Sequence, residues 1–193
     1  MSANLPVEPH PLQPFLPDGA EILMLGSFPP KRERWSMDFF YPNIQNDMWR
    51  IMGLIFYEDK DHFVEMGAGK PRFCYEKVVA FCTEHHIALF DAASAVRRLK
   101  DNASDAFLEI VLPTDIPALL RQLPQCRKIV STGGKSAGAI AEQLGCEVPA
   151  VGGFAEFTLD GKRYRFFRMP SSSRAYPLKL EKKAEAYRKL FEE

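Results

Sequence analysis

No uninterrupted apolar run in this chain approaches the roughly 18 residues needed to cross a membrane. The opening stretch, MSANLPVEPHPLQPFLPDG, lacks the basic-then-apolar layout of a secretory leader. It is rich in proline, so residues 1–19 read as an extended arm and the protein as cytoplasmic. Cysteine is scarce: Cys74, Cys82, Cys126 and Cys146 form no CxxC pair. Clusters and zinc sites normally use closely spaced pairs, so these four read as buried structural thiols. His10, His62, His85 and His86 show no ligand spacing either. No metal and no cofactor are expected. The chain has no net charge, which taken alone argues against a nucleic-acid partner. Its distribution says otherwise. From Asp160 to Leu190 there are 10 Lys or Arg against 3 Asp or Glu. Arg121, Arg127, Lys128 and Lys135 form a second basic stretch. For the terminal helix alone a solvated face is the simpler reading, yet a basic patch on a neutral body is also what a DNA backbone requires.

What is present is an ordinary globular composition, with 193 residues, 46% apolar and 26% charged. That size fits one domain with one core, here residues 20–193. Short apolar runs predict strands at Ile22–Leu25, Ala88–Asp91, Ile129–Ser131 and Arg165–Met169. Helical spacing predicts helices from Met48, over Tyr75–His86, Asp115–Leu123 and Ser136–Leu144, and at Leu178–Phe191. Asp160-Gly161 between two alternating runs predicts a hairpin. Tyr57–Arg72 reads as a polar, irregular insertion. Strand and helix alternate, so the expected fold class is α/β, a three-layer α/β/α sandwich with a mostly parallel central sheet.

In such sheets the site lies where strand carboxyl ends meet their loops. Four segments follow: after Leu25, after Phe90, after Ser131 and after Met169. The first, Gly26-Ser27-Phe28-Pro29-Pro30, lets the backbone approach a ligand closely. It leads into Trp35, Phe39, Phe40 and Tyr41, then Asn43 and Asn46. In a Pro-containing loop with polar neighbours these aromatics read less naturally as core than as the wall of a flipped-base pocket. The fourth segment, Met169 to Tyr176, offers the hydroxyls of Ser171, Ser172 and Ser173 and the cation of Arg174 to phosphates. Ser131-Thr132-Gly133-Gly134-Lys135-Ser136 is not a P-loop, because the pattern needs glycine where Ile129 stands. Its glycines read instead as a helix start facing a phosphate, with Lys135 beside it.

Together these pieces resemble the uracil-DNA glycosylase superfamily, nearest to the family 6, hypoxanthine-type and mismatch-specific enzymes. Leu25-Gly26-Ser27-Phe28-Pro29, Phe40-Tyr41 and Asn46-Asp47-Met48-Trp49-Arg50 resemble motif one. There a Gly-Ser-x-Pro loop precedes paired aromatics and Asn-x-Phe-Trp, with Met48 here in place of Phe. Ile87 to Asp91 resembles the strand-end Asp segment, and Asp101–Asp105 the polar loop after it. Pro170 to Ser173 resembles motif two, and Glu181–Leu190 the closing helix. Phe28 stands where uracil-type members carry their water-positioning Asp or Asn. Ser172-Ser173-Arg174 stands where the most active uracil enzymes carry histidine. The hypoxanthine-type group lacks that Asp as well and uses the asparagine that maps to Asn46.

The resemblance implies a monofunctional glycosylase acting on hypoxanthine or uracil in duplex DNA, as a monomer. Asn46 and Asp91 would be its catalytic residues. Ser27, Phe28, Phe40 and Tyr41 would bind the base. Gly133, Gly134, Lys135, Ser171, Ser172, Ser173 and Arg174 would bind the DNA backbone. The rival is a module of the same fold that grips DNA without cleaving the bond, favoured by Phe28 at the usual catalytic position.

Overall fold

The structure is a computed structural model that describes residues 4–100 and 105–192. Asp101–Asn102–Ala103–Ser104, most of the expected polar loop, lies outside the described residues. Strands β1 (Glu8–Pro9), β2 (Ile22–Gly26), β3 (Val64–Gly67), β4 (Lys70–Phe73), β5 (Ile87–Asp91) and β6 (Ala93–Arg98) come first. They are followed by β7 (Leu108–Pro113), β8 (Lys128–Ser131), β9 (Phe154–Leu159) and β10 (Lys162–Arg168). The helices are α1 (Met48–Tyr57), α2 (Tyr75–Glu84), α3 (Ile116–Arg121), α4 (Gly134–Leu144) and α5 (Leu180–Arg188).

A five-stranded sheet runs in the order β5-β2-β8-β10-β9. The first three neighbour pairs are parallel and β9 is antiparallel to β10. Its inner strands are apolar and sealed on both faces: Leu23, Leu25, Ile129 and Phe166 are all fully buried. That is the pattern expected of strands covered on both sides. The β9–β10 turn forms at Asp160-Gly161, which take φ values of 51° and 75°. Positive φ at both central residues is what a two-residue hairpin turn requires.

The fold is mixed α/β, and its pairing is mixed as well: the central sheet carries an antiparallel edge strand, and among the described residues the pairings outside it are antiparallel. β1, β6 and β7 build a separate antiparallel sheet. The Tyr57–Arg72 region, expected to be irregular, contains the β3–β4 hairpin, whose strands are only four residues each. Its alternation is masked by charge: Glu65, Lys70 and Arg72 share it with Val64, Met66 and Phe73. Phe39 and Phe40 are 6% and 3% exposed and belong to the main core. They are core residues despite their polar neighbours, because Phe15, Tyr75 and Phe90 close over them edge to face.

The segment before β2 packs onto the body. β1 pairs with β6, and Phe15 bridges to Leu89 of β5. At the other end, α5 packs on α1. The terminal helix is more than a solvated face. Lys183 is 0% exposed, and Tyr187 is equally buried with its hydroxyl donating to the Pro170 carbonyl at 2.8 Å. Burial raises the Tyr187 phenol well above its ordinary range. The Cys82 and Cys126 thiols are buried too, and desolvation pushes Cys126 up to about 12. Both stay protonated, so they serve as small apolar fillers. Among the described residues no helix is long and apolar enough to cross a membrane.

Candidate active site

Parallel strands with a common direction deliver their carboxyl ends to one edge. There the loops after β2, β5, β8 and β10 surround a cavity of about 550 Å³. Its lining includes Ser27, Phe28, Phe40, Tyr41, Asn46 and Asp91, together with Ser171, Ser172, Ser173 and Arg174. Ten of the thirteen residues expected at the site therefore border one space. Gly133, Gly134 and Lys135 do not line it.

The floor is aromatic with one carboxylate. Asp91 ends β5 with its side chain 10% exposed. Its Oδ1 lies against the end of β2, so close that a Cβ on Gly26 would sit 2.5 Å away. Only a residue with no side chain leaves that oxygen in place. The other oxygen, Oδ2, accepts a 2.7 Å hydrogen bond from Nε2 of His10. The imidazole lies within aromatic contact of Phe28, Phe40 and Phe90, and its side chain is 4% exposed. His10 Nδ1 accepts from the Leu12 backbone N–H at 3.0 Å. A nitrogen that accepts carries no proton, so the proton resides on Nε2 and points at Asp91. Nothing in the sequence pattern singles out His10, which stands alone in a Pro-rich segment 81 residues from its partner.

Tyr41 forms one side. It has a left-handed φ of 50°, a conformation costly for a bulky residue. Its hydroxyl is hydrogen-bonded to Thr132 Oγ1 after β8 at 2.8 Å. Phe28 is 8% exposed and packs with Ala93, Val96 and Leu108 in a satellite cluster beside the cavity. The Arg98 guanidinium lies 5.6 Å from its ring centroid and donates to the Pro29 carbonyl. Phe28 thus gives this side of the cavity an apolar wall.

The rim is polar. Asn46 forms an isolated antiparallel bridge with Ser173. Its Oδ1 accepts from the Met48 N–H at 2.9 Å, opening α1 in the manner of a capping asparagine. Asn46 is therefore both a cap and a cavity residue. Asp47, at the nominal cap position, makes no capping bond. Its carboxylate instead binds buried Lys183 at 3.1 Å and Arg174 at 3.4 Å. Lys183 also donates to the Ser173 carbonyl at 2.7 Å, and the Asp47 N–H donates to the Ser172 carbonyl. Ser172 is itself 2% exposed, which leaves Ser171, Ser173 and Arg174 as the accessible part of that loop. The Arg50 guanidinium is lowered from its ordinary value by burial and then by nearby Arg174.

The glycine turn is engaged elsewhere. The Gly133 carbonyl accepts from Ser131 Oγ at 2.7 Å and Ser136 Oγ at 3.2 Å. Lys135 donates to the Leu108 carbonyl.

No protein-family model and no curated protein sequence matches the chain. Among solved structures it is similar to the solution NMR structure of a putative uracil DNA glycosylase from Methanosarcina acetivorans. The two share 23% identity over 97% of this chain and 99% of that one, with a TM-score of 0.63. At that identity the likeness is one of fold, and it extends over nearly the whole of both chains.

Proposed function

We propose that residues 20–193 form a single α/β/α glycosylase domain, preceded by a 1–19 arm whose described residues pack against it. On this reading the chain is a monofunctional DNA glycosylase, active as a monomer on duplex DNA in base excision repair. It hydrolyses the N-glycosidic bond of a deaminated base, hypoxanthine or uracil. One observation carries the reading. Four strand-end loops meet at a cavity sized for a nucleobase, aromatic and carboxylate-bearing at its floor and rich in hydroxyls and arginine at its rim. The fold likeness to a named glycosylase supports it.

The target base swings out of the helix at a cost of a few kcal/mol, less for a mispair. Its flat faces match the aromatic floor of Phe28, Phe40 and Tyr41, with Ser27 at the strand exit. Asp91 lies among those rings, so it meets the base edge. The backbone stays at the mouth, where Ser171, Ser173 and Arg174 contact phosphates and Ser172 braces their loop. Gly133, Gly134 and Lys135 touch the backbone further out. Asn46, bridged to Ser173, lies on the sugar side and positions the water. The water oxygen bonds to C1′ as the C1′–N bond breaks. The electrons of that bond leave with the base, and a water proton ends on the base, giving free base and an abasic site.

Single-turnover assays on labelled duplexes containing hypoxanthine, uracil, xanthine or a G:T mispair test this. Release of a deaminated base is expected. Salt-sensitive duplex binding without release from any substrate would replace the enzyme reading with the DNA-binding module, which Phe28 and the capping bond of Asn46 favour.

A further inference from the structure

We propose that His10 is a positioning residue that fixes Asp91 as an oriented acceptor and so sets which bases the cavity takes; this rests on the glycosylase reading. An aspartate that ends a strand can rotate about two side-chain bonds. Here Nε2–H of His10 holds Oδ2 at 2.7 Å, while Gly26, which lines the cavity with Asp91, leaves room for Oδ1. Thr114 Oγ1 donates to the Asp91 backbone carbonyl at 2.7 Å, and His10 is the partner of its carboxylate. The imidazole is held in turn. The Leu12 N–H occupies Nδ1, and three phenylalanine rings surround the ring plane. The proton is thereby committed to Nε2, and the carboxylate is left as an acceptor toward the cavity.

An acceptor of this kind discriminates chemically. Deamination converts the ring N1 of adenine from an acceptor into an N–H donor, as in hypoxanthine, and uracil presents N3–H. Each can donate to Asp91 Oδ1. The unpaired N1 of adenine meets the carboxylate lone pair to lone pair, and a mismatched buried acceptor pair is strongly disfavoured. The N-terminal segment, through one imidazole, thus belongs to the specificity apparatus.

Two variants separate a donor from a packing ring. His10→Phe keeps an aromatic ring in the phenylalanine cage and removes the N–H. His10→Gln keeps an N–H at the reach of Nε2 and removes the ring. Positioning predicts that His10→Phe loses roughly tenfold to hundredfold in single-turnover release, that His10→Gln recovers most of it, and that neither changes affinity for an abasic-site duplex. It also predicts that His10→Phe costs nothing further in an Asp91→Asn background. A more active Phe than Gln variant, or additive losses with Asp91→Asn, would overturn the inference and leave the glycosylase intact. A wild-type protein that releases no base overturns both.

Discussion

Two polar features stand at strand ends in this molecule, and they differ in how their hydrogen-bonding capacity is used. The Gly133-Gly134-Lys135 turn has the look of an anion site. The Gly133 carbonyl is taken by two serine hydroxyls, Lys135 reaches the Leu108 carbonyl, and none of the three residues lines the cavity. Asp91 is one carboxylate at the end of an apolar strand. One of its oxygens is held by a buried imidazole and the other lies beside Gly26, which lines the cavity with it. A recognisable motif set outside the cavity lining has less to offer the cavity's occupant than a lone residue that borders it.

Four changes test that contrast, in order of expected effect. Asn46→Ala removes the proposed water-positioning amide and should reduce kcat for base release by about 10²–10³-fold. Duplex affinity should hardly move, because positioning acts in the transition state. The same change removes a helix-opening bond and should cost about 0.5–2 kcal/mol in urea denaturation. Full activity would transfer the water to another group. Asp91→Asn replaces an acceptor with an amide that can present a donor, and should lower release by about 10–10²-fold. Its loss should appear in free-base binding as well as in rate, and calorimetry with hypoxanthine would read it. Gly26→Ala introduces a methyl group 2.5 Å from Oδ1 and should displace the carboxylate. About tenfold slower release with native circular dichroism is the expected signature. Lys135→Ala should be the mildest, within about threefold in release. It should reduce the slope of log affinity against log salt by no more than about one unit. If Lys135→Ala rivalled Asp91→Asn, the contrast drawn here would be wrong.

The parallel strands were legible because ILML, IALF and KIV are compact apolar runs with turn residues after them. The cavity edge followed from topology alone. β6 and β7 escaped notice because ASAVRR and LEIVLP mix small, charged and apolar residues, and their pairing carries register shifts near Ala95. Asn46 was legible through the resemblance of Asn46-Asp47-Met48-Trp49 to motif one, but its second task as a cap depends on a bond to Met48 that no pattern distinguishes from Asp47 capping. Lys183 read as solvent-facing because helical charge usually is. Its burial follows from Asp47, 136 residues away. His10 was illegible for the same reason: a long-range partner leaves no local periodicity.

That Lys183–Asp47 pair bears on how the mouth of the cavity keeps its shape. Removing one member of a buried pair typically costs about 3–5 kcal/mol, and here Lys183 also secures the Ser173 carbonyl at the cavity rim. The rim is thus tied to the docking of α5 on α1. A molecule in which that helix loosens keeps the His10–Asp91 floor and loses the shape of its mouth.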